Sequence, residues 1–150
     1  MPSFRTTRRV NHSAANMFDL VADVEKYPQF VPLCESLRVR RREERNGLPS
    51  LVADMTVAYT VFRETFTSRV ALDRPNLSIL VNYIDGPFRH LENRWLFKPT
   101  EEGGCEITFS IDYEFRSRAL ALLMGAAFEK AFRKFSAAFE ARADAIYGRA

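Results

Sequence analysis

Two cysteines, two histidines, six glycines and one tryptophan are few for 150 residues, and each scarcity closes a class of function. Cys34 and Cys105 stand far apart with no CxxC, which excludes a disulfide framework and a cysteine-type metal site and suits reduced thiols. No GxGxxG, P-loop, GxSxG or HExxH pattern occurs, so neither a dinucleotide cradle nor a familiar hydrolytic motif is present. No run approaches the roughly 18 uncharged apolar residues of a membrane span, and the opening MPSFRTTRRVNHS lacks an apolar signal-peptide core. A cytoplasmic, soluble protein is expected. Nor is there a large excess of one charge: 22 Lys and Arg against 19 Asp and Glu give +3, enough for weak attraction to phosphate surfaces and far below a dedicated nucleic-acid binder, so no DNA partner is expected.

What the chain has is aromatic surface. Thirteen phenylalanines and five tyrosines accompany the tryptophan, more than one small core needs, so some are expected to line a cavity or a contact surface. Hydrophobic residues at 47% with charged residues at 27% describe a globular chain, expected to form one domain over residues 1–150.

Residues 3–10 read as a strand, and Asn11 or Ser13 can cap a helix through AANMFDLVADV. Pro28 and Pro32 then confine EKYPQFVPLC to a compact turn or a single helical turn. From Ser36 to Phe115 the period becomes two, broken at Asn46-Gly47, Arg74-Pro75-Asn76, Asp85-Gly86-Pro87 and Glu102-Gly103-Gly104. Cys105, Ile107, Phe109, Ile111, Tyr113 and Phe115 alternate with polar residues, which marks a half-buried strand. Phe62, Phe66, Val70 and Leu72 share one face of another, and residues 38–45, 51–61, 77–84 and 91–98 supply the rest of an antiparallel meander. The last segment, about Ala119 to Tyr147, is Ala-rich and free of proline. On a helix its Phe128, Ala131, Phe132, Phe135, Phe139 and Ile146 fall in one stripe about 100° wide, which must lie on something apolar. The expected class is α+β: a curved antiparallel sheet of about six or seven strands wrapped around a long C-terminal helix, with two short helices after the first strand.

Four segments carry a resemblance: Tyr27-Pro28-Gln29-Phe30-Val31-Pro32-Leu33-Cys34; Tyr59 with Phe62 and Phe66; Gly86-Pro87-Phe88 with Leu91; and Trp95 with Phe97. In this order and over essentially the whole chain they resemble the coenzyme Q-binding proteins of the START-like helix-grip superfamily, a family that in bacteria includes the ribosome-association toxin RatA. Members often carry Trp where this chain has Leu33. The resemblance implies a long cavity between sheet and helix holding a polyprenyl quinone such as ubiquinone, with no covalent cofactor, in support of respiratory electron transport. Phe30, Val31, Pro32 and Cys34 would form its entrance turn, Gly86, Pro87 and Phe88 the opposing loop, and Trp95 and Phe97 part of the sheet wall. By helical spacing alone, Met124, Phe128, Phe132 and Phe135 would close it from the helix. Ordinary core packing is the alternative for each of these residues.

Arg38, Arg40, Arg41 and Arg42 form a second feature, with Arg5, Arg8 and Arg9 on the first strand. Such arginines can face phosphates, whether of the large ribosomal subunit or of an anionic membrane surface; the alternative is an edge strand blunted by charge. The resemblance therefore carries a second expected function, ribosome association, and the wider superfamily a third, polyketide cyclase-like catalysis. For catalysis the candidate acids and bases are Asp54, Glu64, Asp112, Glu114, His12 and His90, which form no recognisable constellation. Glu64 shares the face of Phe62 and Phe66, so it is the candidate carboxylate inside a cavity. No metal site is expected.

Overall fold

Ser13 sets the first helix. Its backbone is extended, at φ −64° and ψ 153°, and its hydroxyl accepts a hydrogen bond from the Asn16 N–H, satisfying one of the donors a helix start leaves open. Helix α1 runs over Ala14–Ala22 and buries Met17, Phe18, Leu20 and Val21. A short 3-10 helix, Val24–Gln29, follows with Pro28 inside it, as the two-proline segment requires. The structure, a computed structural model, describes residues 3–148.

The period-two region forms strands β2 (Cys34–Arg45), β3 (Leu48–Tyr59), β4 (Phe62–Asp73), β5 (Ser78–Asp85), β6 (Phe88–Pro99) and β7 (Cys105–Phe115), and β1 is Ser3–Val10. They make one antiparallel sheet in the order β1-β7-β6-β5-β4-β3-β2, so the N-terminal strand pairs with the last one and β2 forms the far edge. The expected turns are in place; β2 and β6 reach further into them than expected, whereas β3 stops at Tyr59, two residues short of the expected 61. Pro49 lies within β3, and β6 begins directly after Pro87. One turn has no signal in the sequence: Thr60, at φ 54°, reverses the chain without glycine, asparagine or proline.

Helix α2 spans Arg118–Tyr147, capped by the Ser117 hydroxyl, which accepts from the Leu120 N–H. It lies in the concave face of the sheet, the helix-grip arrangement expected, packed against β7, β1 and α1. Met124, Phe128, Ala131, Phe132 and Phe139 are buried there, whereas Ile146, from the same stripe, is 49% exposed because the helix has passed the sheet by that point. Polar staples hold its C-terminal half: Arg8 pairs with Glu140 at 2.6 Å, and the buried His12 contacts Asp144 at 2.7 Å through Nε2. No helix among the described residues is long and apolar enough to cross a membrane.

Gly86 explains the turn between β5 and β6. Its φ of +143° and the approach of Phe66 leave no room for a side chain, since an added Cβ would stand 2.5 Å from the Phe66 Cβ. Gly125, in α2, faces open space. Gly86→Ala is expected to destabilise the protein by about 2–4 kcal/mol, whereas Gly125→Ala stabilises it by about 0.5–1 kcal/mol. Urea unfolding midpoints that move in opposite directions for the two variants are the check.

Candidate functional site

Because α2 leans on β7 and β1, it stands away from β2, β3 and β4, and the gap is a cavity of about 110 Å³. Period two supplies its sheet wall, with Ala53, Met55 and Val57 from β3, Phe66, Ser68 and Val70 from β4, and Leu91, Asn93 and Trp95 from β6. The helical period supplies the opposite wall: Phe128, Ala131, Phe132, Phe135 and Phe139 all project onto one face. Val24, Tyr27, Val31, Pro32 and Leu33, from the two-proline segment, close one side. Pro32, Leu33, Leu37, Met55 and Phe135 are half-buried, so the cavity reaches solvent between α2 and the β2 edge.

Among the described residues no Asp, Glu, His, Lys or Arg lines the cavity, and four of the side chains there carry conventional hydrogen-bonding groups, those of Tyr27, Ser68, Asn93 and Trp95. Tyr27 donates its hydroxyl to the Val21 carbonyl at 2.5 Å, and burial pushes its phenol well above the ordinary range. Asn93 is committed at both ends: its Nδ2 donates to the Ser110 carbonyl at 2.9 Å and its Oδ1 accepts from Trp95 Nε1 at 3.0 Å. Ser68 is the fourth.

Ten of the residues expected at the site lie on the cavity: Tyr27, Val31, Pro32, Leu33, Phe66, Leu91, Trp95, Phe128, Phe132 and Phe135. The others lie elsewhere, for identifiable reasons. Phe30 packs outside the wall, edge-on to Phe139 at 5.0 Å and under the Arg142 guanidinium. Cys34 is buried with its sulfur toward the Ser36 carbonyl, and burial pushes its thiol up to about 11, so it is a protonated, inert thiol. Tyr59 is 46% exposed at the end of β3, and Phe62 is buried in the core where β4 begins.

The expected opposing loop is a core element. Pro87 is buried, and Phe88 is buried within an aromatic cluster with Phe66, Tyr83, Tyr113, Phe115 and Phe128, its ring stacked on Phe115 at 5.0 Å. It closes the end of the grip and does not gate the cavity. Phe97 sits behind Trp95, stacked on it at 6.1 Å and edge-on to Phe18, and Met124 is fully buried beyond the cavity's end. Sharing a strand face with cavity residues is therefore insufficient, because packed rings fill part of that face. Glu64 shows the same: it pairs in register with Val57 yet is absent from the lining.

Several lining residues escaped the sequence reading. Ala53, Met55, Val57, Val81 and Ile111 stand at alternate positions of expected strands, so the period carried the signal. Ser68 and Asn93 gave none, since polar residues on a strand read as its wet face.

The arginines form no bare basic patch. Arg40 donates to Asp54 at 2.7 Å, Arg42 pairs with Glu25 at 3.1 Å and Arg41 lies 3.7 Å from Glu43. Partial burial pushes the Asp54 carboxyl up, but hydrogen bonds from Thr67 and Arg40 and the charges of Arg40 and Arg38 outweigh it and hold it below its ordinary range. The second group is remote: β1 and β2 are opposite edges of the sheet, and Arg8 and Arg9 pair with Glu140 and Glu106.

A family model described as polyketide cyclase / dehydrase and lipid transport matches residues 10–140. The ribosome association toxin RatA of Escherichia coli K12 is 37% identical over 98% of this chain and 90% of its own length. The mitochondrial coenzyme Q-binding protein of Schizosaccharomyces pombe is 29% identical over 77% of this chain and 70% of its own. The solution structure of an 18 kDa protein from Caulobacter crescentus superposes with a TM-score of 0.80 at 32% identity, covering 99% of both chains. Matched across most of its length by one family model and nearly end to end by a 37% identical relative, the chain belongs to the polyketide cyclase / dehydrase and lipid transport family.

Proposed function

We propose that this protein holds a polyprenyl quinone-like lipid in its cavity and carries or presents it in support of respiratory electron transport, working in the cytoplasm and at the surface of the inner membrane. The observation that carries the reading is the wall itself, apolar almost throughout and without a titratable acid or base beyond a Tyr27 phenol that burial keeps neutral. Such a wall suits retention of hydrocarbon, at about 0.8 kcal/mol per buried methylene, and supplies no proton donor or acceptor for cyclase chemistry. The named function of the S. pombe relative supports a quinone among hydrophobic ligands.

Size sets the binding mode. A cavity of about 110 Å³ is on the scale of one aromatic ring, since a dry site of roughly 150 Å³ takes a benzene molecule. A ring alone fills the space, and the polyprenyl tail leaves through the half-buried mouth between α2 and β2.

A second reading rests on the E. coli relative and the β2 arginines: docking on the large ribosomal subunit, a surface function that an occupied cavity does not preclude.

Two measurements check these readings. Ala53→Phe fills the cavity from β3 with little exposed change, so saturable quenching of Trp95 emission by a ubiquinone with two isoprene units, expected for the wild type, should vanish while the fold survives. Wild-type emission indifferent to the quinone overturns the lipid reading. Arg38→Glu with Arg41→Glu is expected to cut cosedimentation with large ribosomal subunits at least tenfold and to flatten its salt dependence by roughly one ion per lost contact, leaving quinone binding intact. Docking that persists through charge reversal removes the arginines from the contact, and the same variant on anionic vesicles tests the membrane surface.

A further inference from the structure

Ser68 is 6% exposed and stands in the cavity wall, and its Oγ, turned away from the open space with almost no accessible surface of its own, has no hydrogen-bond partner among the described residues. Its surroundings give no reason for a hydroxyl. Phe66 and Val70 flank it on the same face of β4, and Ala53 pairs with it from β3. Alanine or valine would pack there without burying an unsatisfied polar group, which destabilises a fold. The other hydrogen-bonding side chains of the wall differ in this respect, for Tyr27, Asn93 and Trp95 are all held by protein partners.

Its depth is also informative. Phe66 is half-buried at the mouth side of β4, while Val70 is buried, so Ser68 lies about 7 Å further in than Phe66 by the rise of a strand. A ring pushed past Phe66 brings its substituents to this hydroxyl, whereas a tail inserted first presents only methylenes to it.

We propose that Ser68 is the polar anchor of the cavity, its unpartnered hydroxyl turning about χ1 to another staggered rotamer that faces the open space and donating a hydrogen bond from Oγ to a ring carbonyl oxygen of an otherwise apolar ligand, which therefore enters ring first with its tail toward the mouth. This rests on the lipid reading above and narrows it to ligands with an acceptor oxygen on the ring. A pure hydrocarbon, or a fatty acid whose carboxylate would be stranded in an uncharged wall, is discriminated against.

The test compares two probes of equal tail length by calorimetry, a decyl-substituted benzoquinone and decylbenzene, on the wild type, Ser68→Ala and Ser68→Thr. Ser68→Ala is expected to weaken the benzoquinone about tenfold and to leave decylbenzene within about twofold, because only the first loses a hydrogen bond. Ser68→Thr, which keeps the hydroxyl, should retain most of the benzoquinone affinity. Ligand-free Ser68→Ala should melt at the same temperature as the wild type or higher, since it loses an unsatisfied group. Equal loss for both probes, or unchanged benzoquinone affinity in Ser68→Ala, overturns the anchor while the lipid reading stands. A wild type that binds neither probe overturns both.

Discussion

The seam where α2 meets β7 is the contact on which the other features depend. Phe109 and Tyr113 of β7 meet Phe132 of α2 at 6.3 and 5.4 Å, and Phe109 also meets Phe135 at 5.7 Å. These rings bury large apolar areas in edge-to-face and tilted contacts, which fix the helix along one side of the sheet. Arg8 to Glu140 and His12 to Asp144 hold that side from β1 and the segment after it. A 30-residue helix lying in a curved seven-stranded sheet cannot touch both flanks at once. Pinned on β7, it leaves β2 to β4 uncovered, and the cavity is the geometric remainder.

That remainder stays open because its ends are blocked by rings and not by flexible loops. Phe88, fixed by five aromatic neighbours, backs Phe66 and Phe128, which line one end. Phe139 fills the other, between Tyr27 at 5.4 Å and Trp95 and Phe30 at 5.0 Å. Trp95 is held in turn by its bond to Asn93, which fixes the indole plane against the cavity. Aromatic excess, noticeable in the composition, is therefore mostly structural: the rings brace the space, and fewer of them line it.

The sequence made the architecture legible where its signals were periodic. The alternation from Cys105 to Phe115 is strand β7, and Phe128, Phe132, Phe135 and Phe139 of the helical stripe lie on the cavity, with Phe139 in place of the expected Met124. Depth along a face was not legible. Phe62, Phe66 and Ser68 share one side of β4, yet Phe62 is core, Phe66 lines the mouth and Ser68 stands inside. Which one meets the void depends on where Phe88 and α2 end, a tertiary fact that no period encodes. Motifs misled in the same way: Gly86-Pro87-Phe88 read as the loop opposing the entrance turn, but Gly86 serves a close approach to Phe66, and Phe88 is buried in the core. The arginine run was visible as charge, while its partners, Asp54 on β3 and Glu25 before β2, come together only through folding.

Those partners decide how the β2 edge can act. Exposed ion pairs contribute about 0–1 kcal/mol each, so Arg41 and Arg42, both more than half exposed, can exchange a carboxylate for a phosphate at little loss. Arg40 differs, because Asp54 is only 14% exposed and also accepts from Thr67, and removing the guanidinium would leave a partly buried carboxylate short of a partner. Arg38 is exposed and contributes charge toward Asp54 without a direct pair among the described residues. The run is thus graded: Arg38, Arg41 and Arg42 are available to an anionic surface, and Arg40 belongs to the sheet. On the inner side of the same strand, Leu37 lines the mouth of the cavity. The edge that would meet phosphate and the lip that would meet lipid are therefore neighbouring residues of one strand.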